Sequence, residues 1–206
     1  MKQTLIIAFI CLTVLQSKAQ QKTTSMLSPT EREKALLLLK QTESGVFDAV
    51  KGLNEAQLNF KPAADKWSVA DCIKHIAVAE KELWAMAAPA LAQAANPEKR
   101  AAIKFSDDDL VKAVEDRSHK SKTFAALEPA NSPYQTVAEA LAAFKANREK
   151  LMALVNATEA DFRNHVILLP VGTYDSYQFI LLIAAHSNRH TQQIEEVIAS
   201  PDFPRR

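Results

Sequence analysis

Four long segments of the sequence carry apolar residues at helical spacing, and each begins at a residue that can cap a helix. Ser28, Ser68 and Thr136 are each followed three residues later by an acid, which is the arrangement of a capping box, and Asp175 precedes the fourth segment. The pattern predicts helices over 29–51, 69–94, 137–156 and 176–199. Four helices of similar length with one apolar face each favour an all-α fold, a four-helix bundle.

The composition excludes several other classes of protein. The chain has 3 Gly and 9 Pro in 206 residues, too little glycine for a β-sandwich, a β-barrel or a glycine-rich phosphate loop. Hydrophobic residues make up 48% and charged residues 24%, which is typical of a globular protein with a full core. Lys and Arg number 25 against 24 Asp and Glu, so the chain has no large excess of positive charge that would attract nucleic acid or an anionic membrane.

A long connection separates the second and third predicted bundle helices, and it is expected to hold one accessory helix. Ser106 can cap this helix, which the sequence places over 107–122, with acids at the positive end of its dipole. Pro89 is expected to kink or end the bundle helix before it. A brief extended stretch is predicted over 166–171.

The N-terminus has the pattern of a secretory signal peptide. Lys2 precedes a mostly apolar run over 5–15, and small residues at Ser17 and Ala19 suit signal peptidase. The run is too short for a membrane anchor, so residues 1–19 are predicted to be removed and residues 20–206 to form the domain. The expected location is the periplasm or the outside of the cell. A lipoprotein is the lesser alternative, because Cys11 lies inside the apolar run rather than after it.

Cysteine use then excludes an internal disulfide. Cys11 leaves with the signal peptide, and Cys72 is the single cysteine of the remaining chain. Cys72 falls at an apolar position of a predicted helix, which favours a small buried hydrophobic residue over a reactive nucleophile.

The strongest chemical signal is a pair of histidines in the last predicted helix. His186 and His190 are four residues apart and therefore lie on one face of that helix. The same face carries Phe179, Ile183 and Ile194, so both imidazoles point toward the expected core. Buried imidazoles are costly without partners, and one metal ion would satisfy both. The alternative to a metal site is that the two histidines have this spacing by chance.

Transition metals usually take three or four protein ligands, and His75 is the best third candidate. It lies in the second bundle helix, at the margin of the apolar arc that runs from Cys72 to Met86. His119 is expected on a solvated face of the accessory helix, and His165 on the surface or in a loop.

With these residues in place, the sequence resembles the DinB-like superfamily of four-helix-bundle metal proteins, over roughly residues 30–200. The likeness rests on Trp-Ser-Val at 67–69 opening the helix that carries His75, and on Arg148 in the third bundle helix. It rests also on the segment 186–190, His-Ser-Asn-Arg-His, followed by Gln-Ile. The family pattern places one histidine on the second helix and an HxxxH pair on the last.

The resemblance implies that His75, His186 and His190 bind one divalent metal ion, typically nickel or zinc, with open positions for water. Members of the family include bacillithiol transferases and mycothiol-dependent maleylpyruvate isomerase, and many others are described as metal-dependent hydrolases. Export would separate this chain from cytosolic thiols, which favours hydrolysis over thiol transfer. A non-catalytic metal-binding helical module is the third alternative.

The expected partner is a small-molecule substrate, with no nucleic acid and no membrane after signal cleavage, and a homodimer is left open. Three further residues are candidates for the site. Asp71 could orient His75, Glu80 could act as a base or fourth ligand, and Arg189 could hold an anionic substrate. An ordinary structural role is the alternative for each of them.

Overall fold

The computed structural model describes residues 26–119, 122–169 and 172–205, so the predicted signal peptide lies outside the described residues. The fold is the predicted all-α four-helix bundle, with one small hairpin added. The elements in chain order are α1 (Pro29–Val50), α2 (Glu55–Asn59), α3 (Val69–Ala87), α4 (Asp107–Glu115), α5 (Val137–Ala157), β1 (Val166–Leu169), β2 (Gly172–Asp175) and α6 (Ser176–Ile198). Across these ranges, no helix is both long and apolar enough to span a membrane.

The predicted caps of the four bundle helices are confirmed. Ser28, Ser68 and Thr136 each accept a hydrogen bond from the backbone three residues on, and in each case the acid there returns the bond. Asp175 accepts from the backbone N–H of Gln178 at 2.7 Å. Each cap satisfies a backbone N–H that has no partner inside the helix, which fixes where the helix begins.

Two helices end earlier than the sequence predicts. The second bundle helix was expected to reach residue 94, but α3 ends at Ala87 and a 3₁₀ turn follows over Ala88–Ala92. Pro89 lies in this turn and has no N–H to continue an α-helix. The accessory helix was expected to reach residue 122, but α4 ends at Glu115. The Asp116 carboxylate there accepts the backbone N–H of Ser118 at 2.8 Å, a local bond that competes with helix formation.

The predicted extended stretch, 166–171, forms the first strand of a two-stranded antiparallel hairpin over Val166–Leu169, and its last two residues lie outside the described residues. Val166 pairs with Asp175 and Leu169 with Gly172. Gly172 has φ of 147°, and a Cβ there would lie 2.5 Å from the Tyr174 hydroxyl, so both conformation and space require glycine. The hairpin leads directly into the cap of α6.

The order of the helices around the bundle follows from their contacts. α1 and α3 each pack against α5 and α6, which places α1 opposite α3. The Tyr177 hydroxyl donates to the Glu31 carbonyl at 2.9 Å, so α1 and α6 begin at the same end and run parallel. The Arg32 guanidinium donates to the Thr158 carbonyl at 2.8 Å, so α5 runs the other way.

The direction of α3 explains the long connection before α5. The first turns of α3 and the last turns of α6 share a hydrophobic cluster, which includes Val69 and Val197. Ala87 at the end of α3 shares another cluster with Phe179 at the start of α6, so these two helices are antiparallel. α3 and α5 therefore point the same way, and the chain must return along the bundle between them. The connection over 88–136 makes this return and carries α4, which packs on α6.

A buried guanidinium joins all four bundle helices. Arg148 of α5 is 0% exposed and donates to the Glu80 carboxylate of α3 at 2.6 and 2.8 Å. It donates at 2.7 Å to the Leu39 carbonyl and to the Thr42 hydroxyl, both of α1. Its last bond goes to the Ser187 hydroxyl of α6 at 2.8 Å. All five guanidinium N–H groups are thus satisfied in the bundle interior.

Candidate metal centre

The structure brings together the three histidines that the sequence singled out. His75 lies in the second turn of α3, while His186 and His190 are one turn apart on α6. One ring nitrogen from each lies within 4.8 Å of the other two. The Nε2 atoms of His75 and His186 are 3.2 Å apart. The side chains therefore converge on one point from two antiparallel helices.

His75 is more deeply buried than its position in the sequence suggested. It was expected at the margin of the apolar face, but it is 2% exposed, and His190 is 7% exposed. Met86, expected on the buried arc, is 43% exposed. The connection before α5 covers the start of α3, and its Leu127 carbonyl contacts His75 there. This part of α3 is therefore buried over a wider part of its surface than packing against the other bundle helices would give. His186 is partly exposed and forms the accessible side of the cluster.

A backbone carbonyl fixes the orientation of His75. The Nδ1 atom lies 2.7 Å from the carbonyl oxygen of Leu127. A carbonyl can only accept, so the ring proton is on Nδ1 and the Nε2 lone pair faces the other histidines. Asp71 was considered as this partner, with an ordinary structural role as the alternative, and the alternative is confirmed. Its carboxylate accepts from the Ser68 backbone at 3.0 Å and pairs with Lys61 at 2.9 Å, which uses it in the helix cap.

His190 is oriented by a side chain on its own helix. Its Nδ1 lies 3.0 Å from Oε1 of Gln193, which leaves Nε2 toward the cluster. The Trp67 indole stacks on the His190 ring with centroids 5.8 Å apart and lies 4.9 Å from the His75 ring. Trp67 therefore packs against two of the three imidazoles and shields them from water.

Burial keeps the three imidazoles neutral. It is the main cause of the lowered pKa of His75, and it lowers the pKa of His186 and His190 further. Repulsion between the imidazoles adds to the effect of burial, since His75 lowers the pKa of His186, and both lower the pKa of His190. Neutral imidazoles with free lone pairs are the form that binds metal ions.

The donor set fits a divalent transition metal. Two imidazole nitrogens bound to one tetrahedral zinc ion at about 2.0–2.1 Å would be about 3.3–3.4 Å apart. The Nε2 atoms of His75 and His186 are 3.2 Å apart without rearrangement. Imidazole nitrogens suit zinc, nickel, copper and iron, and three of them leave at least one coordination position for a non-protein ligand. The cluster thus suggests a divalent metal ion.

Glu80 and Arg189 have structural roles. Glu80 was considered as a base or fourth ligand, but both of its oxygens accept from Arg148. Arg189 was considered as an anion-binding group, but its guanidinium donates to three backbone carbonyls. These belong to Val114, Asp116 and His119, so Arg189 holds the segment that follows α4. Both residues therefore have the ordinary structural role that the sequence left as the alternative to a role in the site.

The remaining candidates have the predicted exposure or burial, but His119 lies after the end of α4 and not on that helix. The His119 side chain is 90% exposed. His165 lies in the loop before β1, where its Nε2 contacts the Gln93 carbonyl at 3.1 Å. Cys72 is 0% exposed, and burial raises the pKa of its thiol, so it is a buried apolar residue as predicted.

Sequence reasoning missed three of the groups that contact the histidines. Leu127 acts through its backbone carbonyl, which has no side-chain signature. Trp67 precedes the cap of α3, and only the fold brings it onto α6. Gln193 had a usable signal, since it lies three residues after His190 and so shares its helix face.

Comparison with known proteins gives three results. A family model described as the DinB superfamily matches residues 38–194, a range that includes all three histidines. YuaE of Bacillus subtilis strain 168, an uncharacterized protein, is 28% identical over 155 residues, which cover 73% of this chain and 89% of that protein.

Among solved structures, YfiT from Bacillus subtilis is similar, with a TM-score of 0.58 and 18% identity over 84% of this chain and 88% of that one. YfiT is described as a probable metal-dependent hydrolase with an unusual four-helix bundle topology. At this level of identity the likeness shows the fold alone.

Proposed function

The chain belongs to the DinB superfamily, and we propose that it is a metal-dependent hydrolase in which His75, His186 and His190 hold one divalent ion. The convergence of the three ring nitrogens within 4.8 Å carries the proposal. Two of the rings are already oriented with Nε2 toward the cluster, so little rearrangement is needed to bind an ion. Zinc and nickel both suit this donor set.

A divalent ion held by three neutral ligands keeps its charge, lowers the pKa of a water molecule toward neutrality and polarises a carbonyl or phosphoryl oxygen. The chain's own residues limit how a substrate reaches such an ion. Trp67 covers His75 and His190, whereas His186 is partly exposed. A small substrate would therefore approach along His186. The description of YfiT as a probable metal-dependent hydrolase supports the same chemistry.

Metal titration tests the proposal. The purified protein and its His186→Ala variant would be titrated with zinc and with nickel by calorimetry, with His119→Ala as the matched control on an exposed histidine. We expect one high-affinity site in the wild type and in His119→Ala, and a loss of most of the affinity in His186→Ala, which retains two imidazoles. Equal affinities for wild type and His186→Ala would overturn the centre.

Hydrolysis is tested separately on the metal-loaded protein. A panel of carboxyl esters, amides and phosphoesters would be assayed before and after chelation. Turnover that disappears on chelation, and returns with metal, is the expected result. A protein that binds metal but hydrolyses none of these classes would overturn the hydrolase proposal and leave the metal centre.

The burial of two ligands favours a second candidate, a non-catalytic metal-binding module. His75 is 2% and His190 is 7% exposed, as in a closed structural site. Cobalt(II) substitution distinguishes the two candidates, because its visible spectrum reports the ligands of the ion. A spectrum that shifts on adding acetohydroxamate indicates an open position and a catalytic centre. An unchanged spectrum indicates a closed site.

The proposal also places the protein outside the cytoplasm, after removal of residues 1–19. Its support is the signal-peptide pattern: a basic start, a short apolar run and small residues at the cleavage site. Export makes a low-molecular-weight thiol an unavailable co-substrate and so favours hydrolysis over thiol transfer. Mass spectrometry of the protein recovered from periplasm or medium should give an N-terminus near Gln20. Recovery of a chain that retains Met1–Ala19 would count against export.

A further inference from the structure

We propose that Gln193 is a positioning residue that holds the ring proton of His190 on Nδ1, and that Arg117 fixes the Gln193 amide in the orientation this requires. The inference rests on the proposed metal centre, because its consequence is that Nε2 of His190 is free to bind an ion. It concerns the chain's own hydrogen bonds, which exist whether or not an ion is bound.

One atom receives both hydrogen bonds that matter. Oε1 of Gln193 lies 3.0 Å from Nδ1 of His190 and 3.1 Å from Nη1 of Arg117. A guanidinium N–H can only donate, so the amide atom that faces Arg117 must be the oxygen. The same oxygen then faces His190, and the imidazole must donate to it. Arg117 therefore determines, through Gln193, which of the two nitrogens of His190 carries the proton.

Arg117 is itself held in place by a carboxylate on the same helix as Gln193. Its Nε and Nη2 atoms donate to the two oxygens of Glu196 at 3.0 and 2.7 Å. This two-point geometry fixes the plane of the guanidinium. The Arg117 side chain is 23% exposed and the Glu196 side chain 56% exposed, so the series of bonds runs from the surface to the buried His190.

Arg117 belongs to the connection between α4 and α5, and so does Leu127. Leu127 orients His75 through its carbonyl, as Arg117 acts on His190 through Gln193. This segment outside the four bundle helices thus orients His75 directly and His190 through Gln193 of α6. The bundle places the imidazoles, and this connection sets where their protons lie.

Loss of the acceptor should weaken metal binding without removing any ligand. Without Gln193 Oε1, the His190 proton can move to Nε2, and an Nε2–H cannot bind an ion. Removal of such an outer hydrogen-bond partner lowers metal affinity roughly 10–100-fold in characterised sites.

The test compares three variants of the purified protein. Gln193→Leu removes the acceptor, and Gln193→Glu keeps an acceptor that can pair with Arg117. Gln192→Leu is the matched control, because Gln192 is the adjacent glutamine and bonds only the Glu115 carbonyl in the described part of the chain. Zinc affinity is measured by competition with a chelating dye, and circular dichroism verifies folding. We expect a loss of roughly 10–100-fold for Gln193→Leu and affinities close to wild type for the other two.

Nitrogen-15 spectra of the metal-free proteins give a readout that a general loss of packing would not change. The two ring nitrogens of His190 should show the Nδ1–H form in wild type and Gln193→Glu, and a mixture or the Nε2–H form in Gln193→Leu. The same proton position in Gln193→Leu as in wild type would overturn the inference.

The outcome is distinguishable from failure of the metal centre itself. If His186→Ala loses zinc affinity and Gln193→Leu does not, the centre stands and the positioning role is wrong. If neither variant changes zinc affinity, the metal centre is wrong. In that case the nitrogen-15 spectra still decide whether Gln193 sets the His190 proton.

Discussion

The Glu80 carboxylate receives two hydrogen bonds from the Arg148 guanidinium, from Nε at 2.6 Å and from Nη2 at 2.8 Å. The two side chains are 2% and 0% exposed. The pair lies between α3 and α5, and the remaining N–H groups of Arg148 reach α1 and α6. Each charge is buried at a cost that its counter-charge and these hydrogen bonds together offset.

Glu80→Gln should strongly destabilise the protein, because it leaves the Arg148 charge buried without its counter-charge. We expect the free energy of unfolding to fall by about 3–5 kcal/mol, measured by urea denaturation. Lys145→Gln is the control, since it breaks a solvent-exposed pair with Glu149 on the same helix as Arg148 and should change the midpoint little. Similar midpoints for both variants would show that the buried pair contributes no more than a surface one.

Thr136→Ala should remove the cap of α5. The Thr136 hydroxyl accepts the backbone N–H of Glu139 at 3.1 Å, and alanine leaves that group without its partner. The expected loss is about 1 kcal/mol in the free energy of unfolding, read from denaturant midpoints. Thr30→Ala replaces an exposed threonine inside the first turn of α1 and should not lower the midpoint. An unchanged midpoint for Thr136→Ala would mean that the cap contributes nothing measurable.

Asp71→Ala separates a helix-cap role from a role in the metal centre. Asp71 bonds the Ser68 backbone and Lys61 rather than His75. We therefore expect a stability loss of about 0.5–1 kcal/mol from the lost capping box, with zinc affinity unchanged. Thermal denaturation and dye competition measure the two quantities on one sample. A fall in zinc affinity like that expected for Gln193→Leu would show that Asp71 acts on the centre.

The metal-free protein should lose stability as the pH falls below about 6.5. Burial lowers the pKa of His75, His186 and His190 below their ordinary value of 6.5, while the unfolded chain keeps that value. The unfolded state therefore binds more protons below pH 6.5, and the stabilisation that is fully present above that pH declines as acid is added.

Urea denaturation in chelator at pH 7.5 and at pH 5.5 measures this effect. Each group can contribute up to about 1.4 kcal/mol per pH unit. A His186→Ala, His190→Ala double variant should show a smaller difference between the two conditions. Equal stability of the wild type at both pH values would contradict the prediction.

The sequence predicts the helices of the bundle well because their signals are local. A cap and the periodicity that follows it lie within one or two turns, and the caps at Ser28, Ser68, Thr136 and Asp175 are all confirmed. The pairing of His186 with His190 is equally local, since helix geometry alone puts both on one face.

Features that depend on contacts between distant parts of the chain cannot be predicted from such local signals. The Leu127 carbonyl reaches His75 from 52 residues away, and a backbone atom leaves no pattern in the sequence. Arg148 did leave one. It falls between Phe144 and Leu151 at core spacing, and a charged residue on the apolar stripe of α5 is a signal of a buried partner that went unused.

The separation of the histidines along the chain determines when a metal ion can be captured during folding. His75 and His186 are 111 residues apart, and no contact between them exists until the last helix has docked against α3. An ion that requires both can bind only the finished bundle, so it cannot nucleate folding as zinc does in small finger domains. In the proposed centre, metal uptake is therefore the final step of maturation, and its timing would be set by where the completed protein first meets the ion.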